Sequence, residues 1–280
     1  MNHHHAVIAG TRIASPRAVG RAPTPGRRRR RFGLRRSVLL TIVTLLLAAV
    51  TTPAGASENT SWGAPTYPKL IAATSDNKLW VRDPVLTNVS WDHIGHANSV
   101  VGMTYVRSPQ HVDGMLFAAT SDNRLWARAP VLAGHYWLPI GHANGVRAMA
   151  AVNGKLFAAT SDNKLWVRDP VLANASWQFI GHANDVRAMA AVNGKLFAAT
   201  GDNRLWVRDP VLTNVNWQPI GHANDVRAMA AADGKLFAAT GDNKLWVRDP
   251  VLANVNWQPI GHANGVQAMA AGDMWASPIN

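Results

Sequence analysis

Short apolar runs separated by polar turns recur along the chain from about residue 68 onward. In one stretch DVRAMAAV (185–192) leads through Asn193-Gly194 into KLFAAT (195–200), and a Gly-Asp-Asn turn then leads into RLWVRD (204–209). A fourth run, WQPIG (217–221), follows a loop that Pro210 opens. Asn-Gly between apolar runs is a strong hairpin signal, and no stretch keeps the 3.6-residue apolar period of a helix. The pattern predicts four short strands joined by turns.

These four runs repeat at a fixed spacing. One series of tryptophans, each after a leucine, has a longer first interval followed by three equal intervals: Trp80, Trp126, Trp166, Trp206 and Trp246. A second series begins the motif W-x-x-I-G-H-A-N with the same spacing: Trp91, Trp137, Trp177, Trp217 and Trp257. The six extra residues of the first interval lie between His96 and Thr120, where RSPQHVDG replaces a tight turn. Four strands per unit of about 40 residues are typical of a β-propeller blade.

The order of the strands predicts a closed ring. The repeats begin at PKLIAAT (68–74), a second strand, and end at GVQAMAA (265–271), a first strand. Pairing these two strands completes the first blade and removes two sheet edges. We therefore predict an all-β fold: one five-bladed β-propeller over residues 69–280, with four antiparallel strands per blade. The C-terminal strand pairs with the N-terminal one, and the final MWASPIN is too short to begin a sixth blade.

Residue size predicts where each strand lies within a blade. The AMAA run suits the crowded region nearest the axis, whereas Leu, Phe, Trp and Val suit the wider gaps further out. A strand covered on both faces need not alternate apolar and polar residues. On this reasoning Trp166 and its equivalents pack between blades rather than contact a ligand.

The segment from Met1 to Ala56 has the layout of an export signal. A basic block ends at Arg36, an apolar run spans Val38 to Val50, and Ala54-Gly55-Ala56 forms a small-residue cleavage site. This order is typical of a secretory signal peptide, and the apolar run is shorter than the about 20 residues that a membrane-spanning helix needs. We expect cleavage after Ala56, a short lead-in at 57–68, secretion by the general or the twin-arginine route, and no stable membrane insertion. The alternative is an uncleaved membrane anchor.

Charge and cysteine content narrow the class of protein further. The formal charge of +12 belongs mostly to the leader, which holds 10 of the 28 Lys and Arg and none of the 16 acidic residues. The remainder has 18 basic and 16 acidic residues, a net charge of +2. A nucleic-acid-binding protein would show a persistent basic surface, so we expect no nucleic-acid partner. Because the chain has no cysteine, burial and backbone pairing rather than disulfides must hold its shape.

Strand polarity sorts the loops onto two faces. The first face collects the G-H-A-N connection and the [SG]-D-N-[KR] turn of every repeat. The second face collects Arg168, Asp169, Asn174 and the start of the outer strand at Trp177, with their equivalents. Sugars need donors and acceptors for hydroxyls and a flat apolar surface, and both faces supply them. We favour the first face because it is more uniform, whereas Ala129 and Gly134 interrupt the second face in repeat two.

The candidate ligand-binding residues are the first-face histidines, asparagines and aspartates. The G-H-A-N connections supply His96, Asn98, His142, Asn144, His182, Asn184, His222, Asn224, His262 and Asn264. The turns supply Asp76, Asn77, Asp122, Asn123, Asp162, Asn163, Asp202, Asn203, Asp242 and Asn243. The alternative for each is a structural role, since Asp and Asn in turns commonly bond their own backbone.

These repeats resemble the tectonin family and the related tachylectin-like five-bladed lectins. The shared pattern is W-x-x-I-G-H-A-N-x-V-x-A-M-A-A-x-x-G-K-L-F-A-A-T-x-D-N-x-L-W-x-R, and it covers residues 69–276. Members are typically carbohydrate-binding proteins of innate defence or of microbial surfaces. The resemblance implies a secreted, multivalent lectin that binds glycans or glycoconjugates through weak, equivalent sites. The alternative is a non-catalytic protein-interaction scaffold or adhesin.

Enzymatic activity is not expected. An enzyme needs one asymmetric constellation of groups, whereas each polar group here occurs five times in equivalent surroundings. The sequence also lacks a cysteine nucleophile, an H-E-x-x-H motif and a P-loop. We expect no cofactor and no metal, because loop histidines around a five-bladed channel stand too far apart for Zn–N bonds of about 2.0–2.1 Å.

Overall fold

The computed structural model describes residues 68–84, 87, 89–108, 111–129, 136–170, 175–210, 215–250 and 255–273, except the side chains of 108 and 111–113. The expected signal peptide (1–56) and nearly all of the expected lead-in (57–68) lie outside these residues. So do the C-terminal MWASPIN and the second-face positions Gly134 and Asn174.

Twenty strands of five to ten residues make up the described part of the chain. In chain order they are β1 (Lys69–Thr74), β2 (Lys78–Arg82), β3 (Asp92–His96), β4 (Val100–Ser108), β5 (His111–Thr120), β6 (Arg124–Arg128), β7 (Leu138–His142), β8 (Val146–Val152), β9 (Lys155–Thr160), β10 (Lys164–Arg168), β11 (Gln178–His182), β12 (Val186–Val192), β13 (Lys195–Thr200), β14 (Arg204–Arg208), β15 (Gln218–His222), β16 (Val226–Ala232), β17 (Lys235–Thr240), β18 (Lys244–Arg248), β19 (Gln258–His262) and β20 (Val266–Gly272).

The strands form five antiparallel sheets of four, and each sheet is one blade of a propeller. Blade one has the order β20-β1-β2-β3, blade two β4-β5-β6-β7, blade three β8-β9-β10-β11, blade four β12-β13-β14-β15, and blade five β16-β17-β18-β19. The predicted five-bladed, all-β propeller is confirmed. The predicted closure is confirmed as well, because β20 pairs with β1 through partners such as Leu70 with Ala271 and Ala72 with Met269.

The inner strands contribute to the gaps on both sides of each blade. In β12, Met189 packs towards blade three, whereas Ala188 and Ala190 pack towards blade five together with Phe197 of β13. Successive side chains of a strand point to opposite faces, so one strand fills two neighbouring gaps. Five equivalent apolar clusters result, one between each pair of neighbouring blades.

The two tryptophan series differ in how they pack against the apolar clusters. Trp166 and its equivalents are only half-buried and lie outside the five apolar clusters. The outer-strand series packs against those clusters instead, as Trp177 and Trp217 do. Leu165, the neighbour of Trp166 in β10, points into the gap towards blade four, which turns Trp166 to the other face of the strand. That Trp166 does not contact a ligand stays a prediction.

Tight hairpins join the first and second strands of most blades. Asn153 and Gly154 have φ angles of 51° and 70°, and Asn193 and Gly194 have 51° and 73°. Two consecutive positive φ angles define the type I′ turn that Asn-Gly favours, as the sequence predicts. In blade two the six extra residues lengthen the hairpin instead, so that β4 and β5 remain paired out to Ser108 and His111.

Candidate functional site

Blades one, two, four and five each carry a groove on the side that faces the preceding blade. Its walls are the histidine and asparagine of the preceding blade's G-H-A-N connection, the threonine and aspartate of its own second-to-third turn, and two tryptophans. The grooves of blades four and five each enclose about 810 Å³, that of blade one about 440 Å³ and that of blade two about 380 Å³.

The grooves bring most of the candidate residues of the first face together. By blade, the shared residues are His262, Asn264, Thr74, Asp76, Trp80 and Trp91 in blade one; His96, Asn98, Thr120, Asp122, Trp126 and Trp137 in blade two; His182, Asn184, Thr200, Asp202, Trp206 and Trp217 in blade four; and His222, Asn224, Thr240, Asp242, Trp246 and Trp257 in blade five. The equivalents in blade three are His142, Asn144, Thr160, Asp162, Trp166 and Trp177, joined by the same bond from Trp177 Nε1 to the His142 carbonyl (2.8 Å).

The turn asparagines hold the first face together. Asn163 has a positive φ of 62°, its carbonyl accepts the Ala183 N–H at 2.9 Å, and its side-chain Oδ1 accepts the Asp185 N–H at 2.9 Å. Asn77, Asn123, Asn203 and Asn243 make the same pair of bonds in their own blades. Their side-chain oxygens are therefore committed to the backbone, and none of these four residues lines a groove described above.

A chain of hydrogen bonds fixes the first tryptophan series and the turn aspartates. In blade four, Trp206 Nε1 donates to Thr200 Oγ1 at 2.9 Å, and the Thr200 hydroxyl donates to Asp202 Oδ1 at 2.5 Å. This Trp–Thr–Asp relay recurs in every blade. It sets the orientation of an indole ring and a carboxylate in the wall of each groove.

The relay and its neighbouring cations keep the turn carboxylates ionised. The Lys78 ammonium, aided by the Thr74 hydroxyl, lowers the pKa of Asp76 to about 2, and Lys244 with Thr240 does the same for Asp242. In blade four the Thr200 hydroxyl is the main cause that lowers the pKa of Asp202. All three carboxylates are exposed and keep lone pairs for an additional donor.

The second tryptophan series lies in the grooves, and its predicted place on the second face is wrong. Trp217 precedes the outer strand of blade four, yet its Nε1 donates to the His182 carbonyl of blade three at 2.8 Å. Neighbouring strands of a sheet are rotated by roughly 20–25°, which amounts to roughly 60–75° across a blade. This twist turns the start of the outer strand sideways, towards the preceding blade.

The arginine of the second-face motif is a core residue. Arg208 is 3% exposed, and its guanidinium lies 5.6 Å from the centre of the Trp217 ring. Burial lowers its pKa. On the other side it approaches Gly181, where a Cβ would stand 3.3 Å from Nη1 and where φ is 141°, a conformation that favours glycine. Arg168 is buried in the same way, so neither arginine is available to a ligand.

Other polar residues of the second face form ion pairs. Asp169 pairs with Lys155 at 3.2 Å, and the equivalent pair in blade one is Lys69 with Asp83 at 3.2 Å. In blade two both partners are replaced together, by Met115 and Ala129. The change at Ala129 in repeat two is therefore the loss of one structural pair.

Histidine and asparagine side chains remain available in the grooves. His182 and Asn184 are exposed, and no hydrogen bond joins either side chain to another described residue. The His182 ring rests edge-on against Phe179 at 5.7 Å, which restrains its position. Each groove thus offers a ring nitrogen and an amide beside two indoles.

Sequence reasoning missed the threonine of the relay and misplaced the second tryptophan series. The signal for the threonine is its fixed place six residues before each tryptophan of the first series, as in Thr200 and Trp206. The signal for Trp166 is the two-residue period of β10, which separates it from Leu165. No local signal places Trp177 beside His142, since that contact joins two blades.

The propeller axis is nearly closed. A cavity of about 10 Å³ is lined by the inner strands, with Arg147, Arg187, Arg227, Gln267 and Val101 in one register. Within the described part of the chain, no three His, Asp or Glu side chains come together as metal ligands. Nor does that part contain a helix long and apolar enough to span a membrane.

No protein-family model and no curated protein matches the chain. Among solved structures, the chain is similar to "Crystal structure of Nidogen/Laminin Complex" (11% identity, 73% of this chain and 98% of that chain, TM-score 0.49). It is also similar to "Crystal structure of the computationally designed Ika4 protein" (16%, 55% and 93%, 0.36) and "Crystal structure of Myxococcus xanthus Glutaminyl Cyclase" (15%, 63% and 71%, 0.42). At these TM-scores the fold assignment rests on the strand pairing itself.

Proposed function

We propose that this protein is a multivalent carbohydrate-binding protein with one site in each groove between blades. One observation supports the proposal above all. Two half-buried tryptophans lie in the same groove as a histidine and an asparagine whose side chains are exposed. Both Nε1 atoms are already bonded, so each ring is held in place before a ligand arrives.

The chemistry of a groove matches that of a sugar. Indole rings present flat apolar surfaces to the C–H face of a pyranose, and ligand sites typically combine such surfaces with a few oriented polar groups. The Asn184 amide both donates and accepts hydrogen bonds, as hydroxyl groups do. Because the tryptophans are fixed by Thr200 Oγ1 and the His182 carbonyl, binding orders few side chains and so avoids an entropic cost.

Repetition compensates for weak individual sites. Each groove is an open cleft, so we expect millimolar to micromolar affinity for a monosaccharide. Simultaneous engagement of several sites raises the overall affinity by ~10²–10⁴-fold when the ligands are suitably spaced. We propose that the ligands are surface glycans or glycoconjugates, that the protein is secreted, and that its role is not enzymatic.

One observation favours the alternative, a protein-interaction scaffold or adhesin. Blades two and three expose large apolar side chains on or beside their outer strands: Tyr136 (88% exposed), Leu138 (61%) and Phe179 (47%). Exposed apolar clusters often mark protein contacts. A scaffold of this kind would bind a protein that free sugar does not displace.

A glycan array followed by calorimetry tests the proposal. We expect binding to defined sugars, displacement by the free monosaccharide, and a stoichiometry near five. Replacing Asn144, Asn184 and Asn224 by Ala should abolish binding at three sites, because Asn184 and Asn224 line grooves without structural bonds and Asn144 is their equivalent in blade three. The matched control replaces Lys155, Lys195 and Lys235 by Ala on the second face and should bind as the parent does. If the parent protein binds no glycan, the proposal is wrong.

A further inference from the structure

The five grooves differ at one position in each of two loops. The residue after the G-H-A-N asparagine and the first residue of the turn that faces it form a pair. In blades one to five, in that order, the pairs are Gly265 with Ser75, Ser99 with Ser121, Gly145 with Ser161, Asp185 with Gly201, and Asp225 with Gly241. Aspartate therefore occurs only opposite glycine in these pairs.

Steric contact enforces this pairing. A Cβ at Gly201 would stand 1.9 Å from Asp185 Oδ2, and one at Gly241 would stand 1.9 Å from Asp225 Oδ2. In blade three the relation is reversed, since a Cβ at Gly145 would stand 2.9 Å from Ser161 Oγ. An aspartate thus excludes a serine opposite it, and the grooves fall into an aspartate class and a small-residue class.

The aspartate class offers more space and an additional acceptor. Asp185 and Asp225 line the grooves of blades four and five, each of about 810 Å³. The small-residue grooves of blades one and two enclose about 440 and 380 Å³. A pyranose unit fills only part of the larger volume, so the larger grooves have room for a second unit.

The charges around these carboxylates favour a neutral ligand over a cation. Arg147 Nη1 lies 3.8 Å from Asp185 Oδ1, and Arg187 Nη2 lies 2.9 Å from the position of a Cβ at Gly201, which the carboxylate also approaches. The other carboxylate of this groove, Asp202, pairs with Arg204 at 3.5 Å. In blade five, Arg227 Nη2 approaches Gly241 in the same way. Each additional carboxylate thus has a guanidinium nearby and acts as a hydrogen-bond acceptor rather than as an uncompensated charge.

We infer that the grooves of blades four and five form a second class of site that binds a neutral disaccharide or longer glycan. Asp185 and Asp225 accept hydrogen bonds from hydroxyl groups of the second sugar unit, while the other three grooves bind one unit. This inference rests on the proposed carbohydrate-binding function. It adds that two of the five sites differ from the other three, and that the residue pair formed by the G-H-A-N connection and the facing turn decides the class.

Paired exchanges test the inference without disturbing the packing. The double exchange D185G/G201S, combined with D225G/G241S, converts both large grooves to the pair found in blade three. The reciprocal variant G145D/S161G converts blade three to the aspartate class. Every exchange recreates a pair that the chain already contains, so the fold is expected to persist. The unpaired variant G201S should lose stability, which checks the steric argument separately.

The probes are matched monosaccharides and disaccharides: glucose with cellobiose, galactose with lactose, mannose with mannobiose, and N-acetylglucosamine with its dimer. In calorimetry on the parent, the best monosaccharide should fill five equal sites. Its disaccharide should fill two sites about tenfold more tightly than the other three, as one additional hydrogen bond to a charged group allows. The first variant should lose the tight class, and the reciprocal variant should have three tight sites.

The outcomes separate this inference from the proposed function. Five equivalent sites for the disaccharide in the parent, or unchanged site classes in both variants, would overturn the two classes and leave the carbohydrate-binding function standing. If the parent binds none of the eight sugars and no glycan on the array, the proposed function fails and the two classes fail with it.

Discussion

At the scale of single residues, one hydroxyl organises each groove. Thr200 Oγ1 accepts from Trp206 Nε1 and donates to Asp202, so one atom fixes both a ring and a carboxylate. Without this hydroxyl the indole N–H would have to find water, and the carboxylate would lose its closest donor. The threonine therefore controls the shape of the groove without being an obvious ligand contact.

Thr200→Val should test the relay directly. Loss of the hydroxyl is expected to raise the pKa of Asp202 towards its ordinary value of 3.8, because that hydrogen bond is the largest cause of the lowering. It should also cost about 0.5–1.5 kcal/mol of stability, as for a typical hydrogen bond. Carboxyl NMR titration and chemical denaturation measure the two effects. The control Thr104→Ala recreates the alanine found in the other inner strands and should leave Asp202 unchanged.

The turn carboxylates should also respond to acid in a defined window. Asp76 and Asp242 have pKa values of about 2, below the ordinary 3.8, so folding favours their ionised forms. Their contribution to stability is present above about pH 4 and is lost as the pH falls from 3.8 towards 2. Both carboxyls are exposed, so the loss is expected to be small. Lys244→Met should shift the titration of Asp242, but not that of Asp76, to higher pH; equal shifts at both sites would contradict the local origin.

At the scale of strands, period and twist explain which residues sequence reasoning placed correctly. The number of strands, the type I′ turns and the small inner strands follow from local patterns, and all of them are observed. The position of Trp166 also follows from the two-residue period of β10 once Leu165 is known to fill the gap. The position of Trp177 beside His142 depends on the twist of a whole blade, and no local sequence pattern predicts that twist. The grooves between blades were therefore not predictable from one repeat alone.

The long hairpin of blade two contacts the closing strand. Tyr105 of β4 stands where the other inner strands have alanine, and it packs on Gly272 at the end of β20. A Cβ at Gly272 would stand 2.2 Å from Tyr105 Cγ. Nearby, Arg107 Nη2 pairs with Asp273 at 2.9 Å. The odd repeat thus matches a large residue with a small one where the ring closes.

A double-mutant cycle should measure this match. Tyr105→Ala is expected to cost roughly 1–3 kcal/mol because it removes a large, partly buried side chain. Gly272→Val should also destabilise, since its side chain would collide with the ring. The double variant recreates the Ala-Val contact between the other blades, such as Ala191 with Val152, and should recover much of the loss. Additive costs, measured by urea denaturation, would show that the two residues do not interact.

At the scale of the whole molecule, the contacts where the ring closes are the same as those at the equivalent positions of the other blades. Ser75 faces Gly265, just as Ser161 faces Gly145, although the first pair joins opposite ends of the repeats. Ser75 N donates to the Gly265 carbonyl at 2.9 Å, and the same bond extends the pairing of the first and second strands within every blade. The gap between blades five and one also holds a cluster like the other four, with Leu70 and Met269 beside Phe237. The closure of the ring is therefore indicated by the repeated residue pairs as well as by the order of the strands.

Removal of the closing strand should destabilise all five blades together. A chain that ends at Asn264 lacks β20, so β1 loses its inner partner and the gaps on both sides of blade one lose Val266, Ala268, Met269 and Ala270. Burial of a valine or methionine side chain contributes about 1.5–3 kcal/mol each. Backbone pairing adds to this, and the total approaches the ~5–15 kcal/mol by which a domain is stable. We expect loss of cooperative thermal unfolding, together with self-association through the exposed edge of β1.

The matched control is a chain that ends at Asp273, which removes only the MWASPIN segment after it and keeps β20 complete. Scanning calorimetry and size-exclusion chromatography of the two shortened chains beside the parent distinguish the outcomes. In the control, the melting temperature should match that of the parent. If the chain ending at Asn264 melts as a monomer at the parent's temperature, β20 is a dispensable edge strand and closure contributes nothing to stability. If it retains one cooperative transition at a much lower temperature, the ring unfolds as a single unit whose weakest point is the missing inner strand of blade one.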